Sequence, residues 1–311
     1  MTTAPFDTAA AIRPGEGNDA PATSMNLTAR LTAAAGGAER DVVLVSALGS
    51  DGEIVDQMSP AQWHHRARAL AVVLSRVVAP GDRIVVPAMD GLDFHVGLLA
   101  CLYAGAIAVP VPALRKTART GRGGDRRDER LGAIVQDCQP AAIIVSQENS
   151  GEYRLDDTKV LPAVGISPPP APAKWVPDPR ALDPDAVALL QYTSGSTGEP
   201  RGVVLTHRHL VQNRLDAIER SGVGPDSTIV LWLPLFHDMG LCVSVLFPIV
   251  SGAASVHMQP MTFVRNPLVW LREISVHSDV YSSSPDFAFH MCVDRTTPEP
   301  GCTAEYLIKA S

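Results

Sequence analysis

The stretch YTSGSTGEPRGV, Tyr192 to Val203, packs glycine, hydroxyl and cationic side chains into a few consecutive positions. A loop that wraps a triphosphate needs three things: backbone that can approach closely, N–H and O–H donors, and a cation to offset the charge. Gly195, Gly198 and Gly202 meet the first requirement, Thr193, Ser194, Ser196 and Thr197 the second, and Arg201 the third. The order is not that of a Walker loop, because no Gly-Lys-Ser/Thr follows at the required spacing. A plain surface turn needs only one or two of these residues.

Other clusters carry less chemistry. The run HRH at His207 to His209 puts its histidines two apart, where a helix turns them to different faces, and HDM at His237 to Met239 offers no third metal ligand. No G-x-G-x-x-G follows an early strand, which sets a dinucleotide-dependent dehydrogenase aside. His237 and Asp238, side by side between apolar segments, read equally as chemistry or as a helix-start pair, the aspartate favouring the positive end of a helix.

The elements that must hold the loop alternate along the chain. DVVLVSALGSDGEIVDQM reads as a hairpin about Gly49 to Gly52. A helix follows, capped by Ser59 with Pro60 in its first turn and Trp63, Ala67, Leu70, Leu74 and Val77 on one face. Then come the strand in PGDRIVVPAM, a helix from Phe94 to Tyr103 turning at Gly105, strand AIAVPV, helix DERLGAIVQDC and strand AAIIVS. Beyond a proline-rich connector the alternation resumes. Strand AVALLQY, the glycine loop and strand GVVLTH precede a helix burying Leu210, Val211, Leu215 and Ile218; after it come TIVLWLP, a helical MGLCVSVLFPIV, ASVHM, a helix capped by Asn266, DVYSS and PDFAFHMCVDR. The pattern predicts an α/β fold of largely parallel sheets. It divides into a disordered lead (1–25), a first α/β lobe (26–166), the connector (167–184) and a second α/β lobe with the phosphate-binding loop (185–311).

Composition narrows the partners. A chain of 311 residues, 46% hydrophobic with a net charge of -7, has no global basic field for nucleic acid or an anionic membrane. The basic stretch Arg115 to Arg130 reads as a solvated loop. The uncharged run Val96 to Leu114 is broken by two prolines and two glycines, so it reads as buried helix and strand rather than a membrane span. The five cysteines are odd in number and have no CxxC pair, which points to a reducing, cytoplasmic setting with neither disulfide framework nor zinc site.

YTSGSTGEPRGV resembles the phosphate-binding motif of the adenylate-forming enzymes, with Arg201 where that superfamily usually has lysine. WLPLFHDMGL, Trp232 to Leu241, and SSSPDFAFHMC are similar to later blocks of the same superfamily in the spelling of fatty-acyl-AMP ligases and long-chain acyl-CoA synthetases, Asp286 replacing an asparagine. The resemblance covers roughly Ser46 to Arg295. It implies that Thr193 to Gly202 wraps the β- and γ-phosphates of ATP with Mg2+, that His237 acts near the acyl group, and that His237, Asp238 and Asp286 line the substrate side. The implied reaction joins a fatty acid to AMP for transfer to an acyl-carrier protein or CoA. The superfamily's later motifs have no counterpart in TTPEPGCTAEYLIKAS, so the expectation is an amino-terminal part, truncated or split, that needs a separate polypeptide to complete it. The alternative expectation is a non-catalytic remnant that binds nucleotide or acyl chain or pairs with another polypeptide.

Overall fold

The computed structural model describes residues 25–114, 126–145, 151–154, 160–166, 175–194 and 200–295. Its first element, α1 (Leu27–Gly36), begins at Asn26, whose side-chain oxygen accepts the Ala29 N–H at 2.9 Å. The expected hairpin forms next. β1 (Val45–Leu48) and β2 (Ile54–Met58) run antiparallel with Val45 opposite Met58.

Ser59 then starts α2 (Pro60–Leu74) with a reciprocal cap: its hydroxyl accepts from Gln62 N–H, and the Gln62 side chain accepts from Ser59 N–H. Trp63, Ala67, Leu70 and Leu74 are buried as the periodicity predicts. Val77 is not. The helix closes at Leu74, so Val77 falls past the apolar stripe and is 48% exposed.

β3 (Arg83–Pro87), α3 (Asp93–Tyr103), β4 (Ile107–Val111), α4 (Arg126–Cys138) and β5 (Ala142–Val145) follow in alternation, with β3 parallel to β4 on one side and β5 on the other. β6 (Gly151–Arg154) pairs antiparallel with β7 (Val160–Gly165), which lies parallel to β5. The uncharged run from Val96 is thus the end of α3, a left-handed turn at Gly105 (φ 68°) and strand β4. Among the described residues no helix is long and apolar enough to cross a membrane.

Past a single 3-10 turn (Pro179–Leu182) come β8 (Val187–Ser194), β9 (Pro200–Thr206), α5 (His207–Ser221), β10 (Thr228–Leu231) and α6 (Asp238–Gly240). A π-helical run Leu241–Leu246 leads to α7 (Phe247–Ser251), β11 (Ala254–Met258), α8 (Pro260–Arg265), α9 (Leu268–Ser275), β12 (Val280–Tyr281) and α10 (Asp286–Arg295). Pro267, not Asn266, occupies the cap position of α9, and the Asn266 backbone carbonyl accepts the Val269 N–H at 3.2 Å.

Among the described residues the strands form two sheets, ordered β6-β7-β5-β3-β4-β8-β9 and β12-β10-β11-β1-β2. The sheets do not divide at the connector as the sequence reading expected. β8 and β9 complete the first sheet beside β4, while β1 and β2 join the second beside β11. All four residues of β1 are buried, so β1 takes an interior position with a strand on each side. A proline-rich segment interrupts periodicity locally and says nothing about which strands pair across it.

Helix α3 lies between the sheets. A Cβ on Gly97 would sit 3.3 Å from Ile144 of β5 and 3.4 Å from Val86 of β3, so glycine lets the helix settle onto the first sheet. On its other side the His95 ring lies 6.4 Å from that of His257 in β11. The far face of the first sheet is covered by α4, whose Ile134 and Val135 pack with Val85, Val109 and Ile143.

Candidate functional site

The glycine-rich stretch lies between two antiparallel strands rather than between a strand and a helix. Gln191 pairs with Val203, Tyr192 with Gly202, Thr193 with Arg201 and Ser194 with Pro200. Gly195, Ser196, Thr197 and Gly198 lie outside the described residues. Alternate residues of a strand point to opposite faces, and directly paired residues share a face. Gln191, Thr193 and Arg201 therefore project together on one face of the hairpin, and Tyr192 with Gly202 on the other. Thr193 and Arg201 are exposed; Gln191 is buried.

On the second face the Tyr192 hydroxyl donates to the Asp137 carboxylate of α4. Burial first, and this bond second, push the phenol well above its ordinary value. The ring crosses Gly202 so closely that a Cβ there would lie 3.0 Å from Tyr192 Cζ. The structure thus gives Gly202 a packing reason beside the phosphate-facing one expected from the sequence.

The second block leaves the sheet at the end of β10. Trp232 stacks on Phe263, centroids 4.0 Å apart and planes within 7°. The chain then turns on itself: His237 N–H donates to the Pro234 carbonyl at 3.0 Å, and Leu241 N–H to the His237 carbonyl at 2.8 Å. Gly240 makes the turn possible, because a Cβ there would lie 2.1 Å from the Pro234 oxygen. His237 stands at the cap position of α6 and Asp238 is its first residue. The imidazole Nδ1 lies 2.5 Å from Asp238 Oδ1, and both side chains are two-thirds exposed (66% each). Asp238 Oδ1 also accepts the Met239 N–H at 2.6 Å, so the helix-start geometry and the exposed imidazole coexist.

The third block is its neighbour. β12 runs parallel to β10, so both strands deliver their following loops to the same edge of the sheet, the position where open α/β folds bind ligands. Ser282 Oγ donates to the Val230 carbonyl at 2.6 Å, and Ser283 Oγ approaches Met239 Sδ at 3.4 Å. Asp286 opens α10, is exposed, and lies 3.4 Å from His290 one turn on.

One hydrogen bond joins the hairpin to the His237 turn: Gln191 Nε2 donates to the Phe236 carbonyl at 2.9 Å. Sequence reading passed over Gln191, although an amide inside the apolar run AVALLQY was the available signal. The structure so brings the hairpin face and the His237–Asp238 pair together through Gln191, and sets Asp286 at the neighbouring strand end. Among the described residues no three His, Cys, Asp or Glu side chains converge on a possible metal position. The Mg2+ implied by the resemblance would not need such a cluster, since in nucleotide sites it is held by the phosphates with only one or two carboxylates.

Comparison with known proteins bears on the same region. A family profile described as AMP-binding enzyme matches residues 32–306. A long-chain-fatty-acid–AMP ligase, FadD26 of Mycobacterium marinum, is 35% identical over 77% of this chain and 41% of its own length. A medium-chain-fatty-acid–[acyl-carrier-protein] ligase, JamA of Moorena producens, is 34% identical over 79% of this chain and 42% of its own. The solved fatty acyl-adenylate ligase from L. pneumophila, in complex with acyl adenylate and pyrophosphate, superposes with a TM-score of 0.71 at 26% identity, covering 88% of this chain and 46% of that one.

Proposed function

The chain belongs to the AMP-binding enzyme family, and from that premise we propose that it forms the nucleotide- and acyl-facing part of a ligase that activates fatty acids as acyl-adenylates. It spans about two fifths of the length of the two relatives above, 41% and 42%. The observation that carries the reading is the Gln191–Phe236 hydrogen bond at 2.9 Å, which sets the donor-rich face of the hairpin beside the His237 turn.

In this reading a fatty carboxylate attacks the α-phosphorus of ATP, the bond to the bridging oxygen breaks, and pyrophosphate leaves. Most of the catalysis of such a transfer lies in placement and charge stabilisation. Thr193 and Arg201, paired across the hairpin, donate to the β- and γ-phosphates. Arg201 offers a planar fork of donors, suited to two phosphate oxygens at once. Asp238 engages Nδ1 of His237 and fixes the ring, and Nε2 can donate to the reacting carboxylate or the developing acyl phosphate only in the doubly protonated imidazole. Asp286 stands on the substrate side at the shared strand edge.

The acyl acceptor is the thiol of a carrier protein or of CoA, and the reaction belongs in the cytoplasm, where ATP is supplied. The carrier-protein ligase among the relatives, JamA of Moorena producens, supports the carrier-protein acceptor.

Non-hydrolysable acyl-adenylate mimics test the reading without requiring turnover. Dodecanoyl-sulfamoyl-adenosine should bind the purified chain in calorimetry at least about tenfold tighter than the leucyl analogue, a difference of about 1.4 kcal/mol. Equal or reversed preference overturns the fatty-acid assignment, and loss of binding to both overturns the adenylate site.

A further inference from the structure

Gln191 is the unusual residue of β8. It is 7% exposed within a strand whose neighbours Leu189 and Tyr192 are buried apolar packing residues. Its Nε2 reaches the Phe236 carbonyl, while its Oε1 is buried with no hydrogen-bond partner among the described residues. A half-satisfied buried amide is unfavourable beside an apolar side chain of the same length, so packing alone does not account for it.

Its two ends touch different machinery. Two residues along the same strand face stands Thr193, paired with Arg201. One residue beyond the Phe236 carbonyl stands His237, inside a turn closed at both ends by its own backbone: His237 N–H to the Pro234 carbonyl at 3.0 Å and Leu241 N–H to the His237 carbonyl at 2.8 Å. A closed turn moves as a unit, and this side chain fastens it to a strand of the other sheet.

We propose that Gln191 is a positioning residue: its amide couples the phosphate-facing hairpin to the His237 turn, so that nucleotide held by the hairpin fixes the imidazole in place. This rests on the hairpin being the nucleotide site. A displacement of β8 on loading is transmitted through the amide donor bonded to the Phe236 carbonyl, whereas an apolar residue would pack in the same space and transmit little. Gln191→Met keeps the length and removes the donor. Gln191→Glu keeps the shape but presents a carboxylate, which cannot donate until protonated.

Hydrogen exchange of residues 232–241, read by mass spectrometry with and without ATP, separates the possibilities, with calorimetry of ATP alongside. In the unaltered chain ATP should slow exchange across 232–241 by at least about threefold. Gln191→Met should hold ATP within about threefold of the parent affinity yet show no ATP-dependent change in that segment. Gln191→Glu should behave like the methionine variant at pH 8 and regain the response at pH 6, since burial raises the pKa of a carboxylic acid and its protonated form can donate to the Phe236 carbonyl. ATP binding to the unaltered chain without protection of 232–241 overturns the coupling while leaving the nucleotide site standing, and this arm needs no variant to fold. Full protection in Gln191→Met also overturns it, as does a parallel collapse of ATP affinity, which would place Gln191 in the nucleotide site itself. Absence of ATP binding overturns both readings.

Discussion

Tyr192 lies across Gly202, so that a methyl group on that glycine would sit 3.0 Å from the ring Cζ and 3.2 Å from the hydroxyl. The ring cannot slide away, because its hydroxyl is bonded to Asp137 in α4 and its body is buried. Gly202→Ala should therefore destabilise the protein by about 1 to 3 kcal/mol, the usual range for forcing an extra methyl into a packed site. Tyr192→Leu should remove most of that penalty, so the double variant will be less destabilised than the sum of the singles. Urea denaturation of the three variants checks this. Additive losses would mean that Gly202 is constrained by something other than the ring.

Arg201 is exposed on the hairpin and directly opposite Thr193. A charge-assisted contact to phosphate contributes roughly 1.5 to 3 kcal/mol, so Arg201→Ala should weaken ATP binding about tenfold or more. Arg201→Lys should retain most of the affinity, because the charge survives although the planar fork does not. The loss should shrink as salt is raised, since exposed charges are screened. Calorimetric titration at two salt concentrations reads all of this, and unchanged affinity in the alanine variant would remove Arg201 from the site.

What the sequence made legible follows from how local each feature is. Ser59 with Gln62, the hairpin at Gly49 to Gly52, and the strand–helix alternation from β3 to β5 are written in neighbouring residues, and all are present. The order of strands is not local. Nothing in Val45 to Leu48 announces that β1 will lie between β2 and β11, far along the chain, and the connector misled by marking a boundary that the sheets ignore. Val77 and Asn266 failed for a smaller reason: a helix stopped a turn earlier, or began one residue later, than its pattern allowed. Within the site, residue types pointed to Thr193, Arg201, His237 and Asp238. Gln191 and Tyr192 were passed over because their importance lies in contacts with Phe236 and Asp137, residues remote from them in sequence.

Gly240 reads as one more glycine in a motif, yet its Cβ would come 2.1 Å from the Pro234 oxygen and 2.9 Å from the Leu233 oxygen. Its own dihedrals are helical (φ -61°, ψ -46°), so alanine would suit the helix and still not fit the turn. Gly240→Ala should open the Pro234–Leu241 turn, at a stability loss of about 1 to 3 kcal/mol. Exchange at His237 and Leu241, whose N–H groups close that turn, should accelerate while the N–H groups of β8 stay protected. Unaltered exchange at those two amides would show that the turn absorbs the methyl group by another route.

The pH dependence of stability follows from three buried histidines. His95 and His257 are held down to about 3, and His207 to about 4, in each case chiefly because burial disfavours the charged ring. Neither ring nitrogen of His257 has a hydrogen-bond partner among the described residues, and at His95 the Ser244 backbone offsets the burial penalty only in part. The unfolded chain titrates these groups near pH 6.5, whereas the folded chain keeps them neutral to about 3 or 4. The unfolded state therefore binds more protons through that window, and stability must fall as pH falls. It is full above about pH 7, and well below 6.5 it declines by about 1.4 kcal/mol per pH unit for each histidine. Urea midpoints at pH 7.5, 6.5 and 5.5 sample the window before most carboxylates titrate. His257→Leu should flatten the slope by up to about a third, since His64, also held below its ordinary value chiefly by burial, contributes in the same direction. A midpoint that holds constant from pH 7.5 to 5.5 would mean that these rings are charged or hydrated in the folded protein.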